Sequence, residues 1–235
     1  MRKWDCLPET MKSREVKVYY DLLQKKCISL FLKRFFDVFV SAVLLILLAP
    51  LFLIIAVAIK LDSPGPVFYR QVRVTRYGKN FRIFKFRTMV TGADKGSLLT
   101  VAKDSRVTRV GRILRKYKID ELSQLIDVFR GTMSFVGTRP EVPKYVEKYT
   151  PEMMATLLLP AGITSEASVY YKDENELLDD SENPEEVYVN RILPDKMQYN
   201  LNAIKNFSFF NEIIIMIKTV SAVFVGKNSE EKTAV

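Results

Sequence analysis

The chain contains no histidine, and this absence excludes several kinds of active site. Nucleophilic pairs in which histidine activates a serine or cysteine cannot form. Catalytic zinc sites usually need histidine ligands as well. Any general acid, general base or nucleophile must therefore be an Asp, Glu, Lys, Tyr or Cys side chain.

Cysteine is also scarce. Cys6 and Cys27 both lie near the N-terminus, so a disulfide between them would constrain nothing central. We interpret them as reduced thiols of a reducing compartment. Apolar residues make up 48% of the 235 positions and aromatic residues 11%, which excludes a wholly disordered chain.

The net charge of +9 is unevenly distributed along the sequence. Residues 60–139 carry 18 basic and 6 acidic side chains, whereas residues 140–200 carry 5 basic and 13 acidic ones. A strongly basic segment of this kind predicts an anionic partner: phosphate, a lipid headgroup or nucleic acid.

One long apolar run, Phe35 to Ile59, is interrupted only by Asp37, Ser41 and Pro50. As a straight helix it would be about 37 Å long, against about 30 Å for the hydrocarbon core of a bilayer. A kinked span and a re-entrant hairpin both remain open. Pro50 breaks or kinks a helix, and both flanks are basic, whereas a span should show a basic excess on one side. We therefore favour a re-entrant helix–break–helix hairpin with both flanks at the cytoplasmic face.

The remaining pattern predicts an α+β fold that is mostly helical, with a small β-hairpin and interfacial amphipathic helices. We divide the chain into an N-terminal charged extension (1–30), the membrane hairpin (31–60), a cytoplasmic catalytic domain (61–200) and a C-terminal interfacial helix and tail (201–235). The predicted elements are strands over 67–74 and 81–89, a loop over 91–104, a helix over 119–131, a compact loop over 133–140, a helix around 152–159, a helix or loop in the acidic stretch after 173, and an amphipathic helix over 207–225.

The adjacent carboxylates Asp120 and Glu121 are the sharpest chemical signal. Their structural interpretation is a helix N-cap at Asp120 followed by a first-turn acid. Their functional interpretation uses the basic context: a carboxylate beside arginines keeps a low pKa and stays ionised, as a nucleophile or a Mg²⁺ ligand requires. Four arginines recur every third residue just before the pair, forming either a solvated helix face or a phosphate site: Arg106, Arg109, Arg112 and Arg115.

Several motifs occur in a fixed order along the chain. They are K-R-F-F-D from residue 33, P-G-P-V-F-Y-R-Q-V-R-V from 64, F-R-I-F-K-F-R-T-M from 81, L-R-K-Y-K-I-D-E-L-S-Q-L from 114 and M-S-F-V-G-T-R-P from 133. Together they resemble the bacterial sugar transferases, the monotopic polyprenyl-phosphate phosphoglycosyl transferases. The resemblance runs from about residue 33 to residue 227.

The resemblance implies a reaction and a location. Such enzymes move a phosphosugar from a nucleotide diphosphate sugar, usually a UDP-sugar, to a polyprenyl phosphate such as undecaprenyl phosphate. They release the nucleoside monophosphate, UMP for a uridine donor, and start a surface glycan such as a capsule, exopolysaccharide or lipopolysaccharide. The implied location is the cytoplasmic face of the bacterial inner membrane, with membrane lipid as a further partner.

The resemblance also implies roles for individual residues. Asp120 is implied to be the nucleophile that forms a covalent phosphosugar intermediate, and Glu121 its partner in binding Mg²⁺ or handling a proton. Arg115 and Arg139 are implied to bind phosphate, and the hairpin is implied to break at Pro50. We add Lys85 and Arg112, from the basic segment, as candidate phosphate-binding residues.

The chain also departs from the family's usual motifs. Ala49 stands where serine is common, Thr138 where proline is common, and residues 159–168 lack an arginine and a glycine. These departures leave the sugar and the nucleotide open.

Two other functions remain as alternatives. One is a membrane-anchored protein that binds anionic lipid or nucleic acid without catalysis, and the other is a membrane pyrophosphatase with a carboxylate nucleophile. The acidic pair within the basic segment favours an enzyme, and no nucleic-acid-binding motif is present, so we expect no nucleic-acid partner. The sequence leaves homo-oligomer formation open.

Overall fold

The structure, a computed structural model, describes residues 1–92, 106–171 and 183–230, with side chains described up to residue 221. Most of the predicted loop over 91–104 and the acidic stretch over 173–182 lie outside the described residues. Within the described ranges the chain is mostly helical with small two-stranded sheets, which confirms the α+β prediction.

The helices are distributed along all three described ranges. The α-helices are α1 (Arg14–Gln24), α2 (Cys27–Leu47), α3 (Ala49–Asp62), α4 (Arg109–Lys116), α5 (Leu125–Arg130), α6 (Pro143–Val146), α7 (Glu166–Tyr170), α8 (Pro184–Val187), α9 (Leu193–Lys205) and α10 (Phe209–Glu230). Short 3₁₀ helices occupy Trp4–Cys6, Glu9–Met11, Arg76–Gly78, Ile119–Gln124 and Met153–Leu158, and a π-helical turn occupies Tyr188–Ile192.

The apolar run folds as two helices that meet at a sharp bend. α2 and α3 are inclined at 62° around Leu48, and Pro50 occupies the first turn of α3, where a missing N–H breaks no helical hydrogen bond. No single helix among the described residues is both long and apolar enough to cross a membrane. The bent pair α2–α3 meets that requirement in length and hydropathy when its two helices are taken together.

The exposed and buried faces of α2 are inverted relative to a helix of a water-soluble protein. Three polar side chains face the protein and are almost fully buried: Lys33, Asp37 and Ser41. Large apolar side chains point outward, with Phe35 62% exposed and Ile46 74% exposed. The polar groups are satisfied inside the protein, since Lys33 Nζ donates to the Val136 carbonyl at 2.7 Å and also pairs with Glu212 of α10.

The strands form short pairs. β1 (Phe68–Tyr69) pairs antiparallel with β4 (Lys85–Phe86), and β2 (Val72–Thr75) pairs antiparallel with β3 (Lys79–Arg82). This confirms the predicted β-hairpin, with each predicted strand divided into two pieces. β5 (Met133–Val136) pairs parallel with β6 (Ala161–Thr164). The prediction of a compact loop over 133–140 is therefore wrong for residues 133–136, which form a strand.

The N-terminal segment packs into the largest buried cluster. Tyr19, Tyr20 and Leu23 of α1 are almost fully buried and share that cluster with Leu158 and Phe207. Ser13 caps α1 by accepting a hydrogen bond from the Val16 N–H at 3.2 Å. Residues 1–30 thus pack against the 3₁₀ helix Met153–Leu158 and the start of the C-terminal segment.

Candidate active site

The backbone just before the acidic pair has an unusual conformation at Lys118. This residue has φ 53° and ψ 24°, in the left-handed region, and it lies between α4 and the 3₁₀ helix Ile119–Gln124. Lys118 is the N-cap of that helix and Asp120 is its second residue. The prediction that Asp120 is the N-cap of a continuous helix over 119–131 is therefore wrong, because a 3₁₀ segment precedes α5.

Glu121 holds two cations from distant parts of the chain. Its Oε1 accepts hydrogen bonds from Lys85 Nζ and from Arg139 Nη2, both at 2.7 Å, and Arg139 Nη1 lies 3.5 Å from Oε2. Burial raises the pKa of Glu121, but the charges and hydrogen bonds of Arg139 and Lys85 outweigh burial and hold that pKa well below its usual range. Glu121 is therefore ionised at neutral pH.

Asp120 is in a different electrostatic environment. Burial raises its pKa and so does the negative charge of Glu121, whereas Lys85 and Arg115 act in the opposite direction. The net direction is upward, so the low pKa predicted from the neighbouring arginines is wrong. The predicted effect of the basic side chains is present, but burial outweighs it.

Arg115 is oriented by the strand region on which α4 packs. Its Nε donates to Thr88 Oγ1 at 2.9 Å, and no other hydrogen bond of its guanidinium occurs among the described residues. α4 approaches the Thr88 backbone so closely that a Cβ on Gly111 would lie 2.1 Å from the Thr88 carbonyl oxygen. Gly111 thus permits the packing that brings Arg115, one turn later, towards Asp120.

Arg139 follows the parallel strand pair, and the backbone around it is fixed from both sides. Gly137 N–H donates to the Thr164 carbonyl and Gly162 N–H to the Thr138 carbonyl, each at 2.9 Å. On the other side, Arg73 Nη1 donates to the Pro140 carbonyl at 3.1 Å. These bonds hold the loop that presents Arg139 to Glu121.

The structure brings together most of the predicted site residues. Lys85, Glu121 and Arg139 are in direct contact, and Arg115 acts electrostatically on Asp120. Arg112 is exposed, and no contact between its side chain and the acidic pair occurs in the described part of the chain. Arg106 precedes the N-cap of α4, so the arginine ridge predicted on one helix includes only Arg109, Arg112 and Arg115.

Sequence reasoning missed two residues that position the site. Asp62, at the end of α3, accepts a hydrogen bond from the Val110 N–H at 2.9 Å and so joins the bent helix pair to α4. Arg87 is buried and donates to the Pro64 and Ser63 carbonyls after α3. Arg87 lies inside a motif noted in the sequence, but nothing in the pattern indicated that its side chain is buried.

Mg²⁺ fits one of the two carboxylates in the observed arrangement. No group of three or more His, Cys, Asp or Glu side chains that could hold a metal ion occurs among the described residues. Mg²⁺ commonly needs only one or two carboxylates together with substrate phosphates and water. Among those residues no other residue donates a hydrogen bond or forms an ion pair to the Asp120 carboxylate, which interacts with its own backbone N–H, whereas both oxygens of Glu121 face cations. Glu121 would have to exchange these partners to bind a metal.

Comparison with known proteins identifies the family. A family described as "Bacterial sugar transferase" matches residues 28–226, and the chain belongs to it. The chain is 36% identical over 200 residues to the UDP-N-acetylgalactosamine-undecaprenyl-phosphate N-acetylgalactosaminephosphotransferase of Aeromonas hydrophila, covering 83% of this chain and 44% of that protein. It therefore spans less than half the length of that relative.

Two further relatives are covered over more of their length. The chain is 37% identical over 201 residues to the UDP-glucose:undecaprenyl-phosphate glucose-1-phosphate transferase of Caulobacter vibrioides, covering 84% of this chain and 71% of that protein. It is 33% identical over 213 residues to the exopolysaccharide production protein ExoY of Rhizobium meliloti, covering 84% of this chain and 87% of that protein.

Proposed function

We propose that this chain is a membrane phosphoglycosyl transferase that moves a phosphosugar from a UDP-sugar to undecaprenyl phosphate or a similar polyprenyl phosphate. The observation that carries the proposal is the Asp120 carboxylate beside Glu121, with Lys85 and Arg139 fixed on the latter. The names of the relatives supply the substrate classes, since they include UDP-glucose, UDP-N-acetylgalactosamine and undecaprenyl phosphate. The proposed role is to start the synthesis of a surface glycan.

The proposed reaction has two displacement steps. A carboxylate oxygen of Asp120 attacks the phosphorus that bears the sugar, the P–O bond of the pyrophosphate breaks, and UMP leaves. An oxygen of the polyprenyl phosphate then attacks the same phosphorus, and the bond to Asp120 breaks. The carboxylate is regenerated and the product is a polyprenyl diphosphate sugar. Covalent catalysis lets two anionic substrates use one site in turn.

The basic side chains have complementary roles in this scheme. Lysine has three N–H donors, so pairing with Glu121 does not exhaust the capacity of Lys85 to bind phosphate. Arg115 is tethered to Thr88 through Nε, which leaves its two terminal nitrogens to contact a phosphate. Glu121 holds Lys85 and Arg139 in fixed positions, so little reorganisation is needed when charge develops on the phosphoryl group.

The proposal includes Mg²⁺ as the metal. One oxygen of Asp120 and the phosphate oxygens of the substrate would hold the ion, which would supply positive charge to the pyrophosphate when bound. This assignment depends on the chemistry of the donors, because carboxylate and phosphate oxygens are the ligands that Mg²⁺ prefers.

The proposed location is the cytoplasmic face of the bacterial inner membrane, with the α2–α3 pair inserted as a re-entrant hairpin. The inverted faces of α2 support this placement, because exposed Phe35, Phe39 and Ile46 would be solvated by lipid and buried Lys33 and Asp37 by the protein. α10 would lie at the interface, with Phe210 and Ile217 of its exposed face towards lipid.

Release of UMP tests the proposed function directly. The purified chain in neutral detergent should release UMP beyond one equivalent only when polyprenyl phosphate is added, and chelation of divalent ions should stop this turnover. A pyrophosphatase would release UMP repeatedly without the lipid. A protein that only binds lipid or nucleic acid would release none under either condition.

A further inference from the structure

A second basic cluster surrounds Phe84, outside the contacts made by Glu121. The guanidinium carbon of Arg70 lies 3.4 Å from the centroid of the Phe84 ring, and that of Arg130 lies 5.1 Å from it. Arg70 is held in this position because its Nε and Nη2 donate to the Arg82 carbonyl at 3.2 Å and 2.6 Å. We name Arg70, Arg82 and Arg130 the Phe84 cluster.

The Phe84 cluster has more positive charge than its surroundings neutralise. Asp127 is the carboxylate that acts on Arg70, but Asp127 Oδ2 accepts the Phe84 N–H at 2.8 Å and Oδ1 lies 3.3 Å from Thr132 Oγ1. Burial lowers the pKa of Arg70, and the like charges of Arg130 and Arg82 lower it further. Arg82 and Arg130 are exposed, so an anion from outside could reach the cluster.

The cluster adjoins the start of the apolar run. Arg130 is the last residue of α5, and the carbonyls of that helix end accept hydrogen bonds from Arg34 of α2: Val128 at 2.8 Å and Phe129 at 3.0 Å. The next residue after Arg34 is Phe35, the first of the outward-facing apolar run. The Phe129 side chain is 47% exposed at the same place. Basic and apolar surfaces therefore meet at the end of α5.

We propose that the Phe84 cluster binds the phosphate of an anionic phospholipid headgroup, while Phe129 contacts the adjoining apolar layer. Arginine suits this role because its planar guanidinium binds phosphate through two N–H groups. Basic residues beside a membrane segment attract anionic lipid. The proposal rests on the membrane location given under the proposed function, and it assigns the cluster to bulk lipid and not to either substrate.

Native mass spectrometry of the full chain in neutral detergent tests this assignment. Phosphatidylglycerol and phosphatidylcholine with identical acyl chains are titrated separately. We expect the wild-type protein to retain phosphatidylglycerol in preference to phosphatidylcholine. The R82Q/R130Q variant, which changes two exposed side chains, should bind phosphatidylglycerol about tenfold more weakly. The R14Q/R191Q variant removes the same charge from exposed positions elsewhere and should bind like the wild type.

Several results would overturn the proposal. If both variants bound phosphatidylglycerol equally more weakly than the wild type, the effect would be one of general charge. If the wild type retained phosphatidylglycerol and phosphatidylcholine equally, headgroup recognition would be excluded. Displacement of phosphatidylglycerol by excess inorganic phosphate would point to a free-anion site, and displacement by stoichiometric polyprenyl phosphate would point to the acceptor site. UMP release is measured on the same samples. Its absence from the wild type would contradict the proposed function while the lipid measurement still decides the role of the cluster.

Discussion

Arg139 and Glu121 form a two-point contact, with Nη2 2.7 Å from Oε1 and Nη1 3.5 Å from Oε2. The contact joins the loop after β5 to the short helix that carries Asp120. Lys85 shares the same carboxylate oxygen, so one half-buried negative charge fixes two cations. Removing either cation leaves the charge of Glu121 less compensated, which is costly in a site with little access to water.

The R139K variant tests the planar geometry of this contact. Lysine keeps the charge but cannot make two parallel hydrogen bonds to a carboxylate or a phosphate. We expect kcat/KM for the nucleotide sugar to fall roughly tenfold or more, because a charge-assisted hydrogen bond contributes about 1.5–3 kcal/mol. Steady-state kinetics with R191K as the control measures this effect. Unchanged kinetics in R139K would show that the planar guanidinium of Arg139 is not needed for substrate binding or for the reaction.

The pH dependence of activity tests the environment of Asp120. A nucleophilic carboxylate must be ionised, and the pKa of Asp120 is raised above the ordinary value of 3.8. The rate should therefore fall as pH drops through a pKa higher than 3.8. K85Q should move this acidic limb to higher pH, since Lys85 lowers the pKa of Asp120. Circular dichroism at each pH separates this effect from unfolding. If the acidic limb of the pH–rate profile moved to lower pH in K85Q, this would contradict the conclusion that Lys85 lowers the pKa of Asp120.

Gly111→Ala tests the packing that positions Arg115. Alanine favours a helix interior by about 1 kcal/mol over glycine, so propensity alone predicts stabilisation. The added Cβ would instead lie 2.1 Å from the Thr88 carbonyl oxygen. We expect the free energy of unfolding to fall by about 1–3 kcal/mol, together with weaker binding of the nucleotide sugar. Lys116→Ala, at an exposed position of the same helix, should leave stability near that of the wild type. A Gly111→Ala protein at least as stable as the wild type would show that α4 does not need this close approach.

Cysteine labelling tests the topology of the α2–α3 pair. Cys27 precedes the apolar run and is exposed, and K60C in a C6S/C27S background provides a second exposed thiol after it. Neither thiol should react with a membrane-impermeant maleimide in intact cells, and both should react after permeabilisation. Pro50→Ala should straighten the helix and favour a span, which would expose one flank. External labelling of either flank in the unmutated hairpin would contradict the re-entrant arrangement.

The sequence predicted the elements that depend on local pattern. The apolar run and Pro50 indicated a broken helix pair, and two strand-like runs on either side of the turn R-Y-G-K-N from residue 76 indicated the β-hairpin. β5 was missed because its partner is a parallel strand distant in sequence, with Met133 opposite Ala161. The 3₁₀ start before α5 was missed because a left-handed lysine at position 118 has no recognisable sequence signal.

The site could be predicted only in part, because its residues come together through contacts between segments that are distant in sequence. Asp120 and Glu121 were noticed because they are adjacent acidic residues. Their grouping with Arg139 came from the family resemblance, and Lys85 was a candidate because it lies in the basic segment. Arg112 lies on the predicted helix yet is directed to solvent. The direction of the Asp120 pKa shift depends on burial, which a charge count along the sequence does not contain.

The covalent adduct is the most direct test of the central claim. Wild-type protein given a UDP-sugar and Mg²⁺ without polyprenyl phosphate should gain the mass of one phosphosugar, and peptide mapping should place it on Asp120. Asp120→Asn keeps the size of the side chain, so it should remain folded and membrane-bound but gain no mass and lose nearly all turnover. Adding polyprenyl phosphate should discharge the wild-type adduct. An adduct on another residue, or normal turnover by Asp120→Asn, would contradict the assignment of Asp120 as the nucleophile.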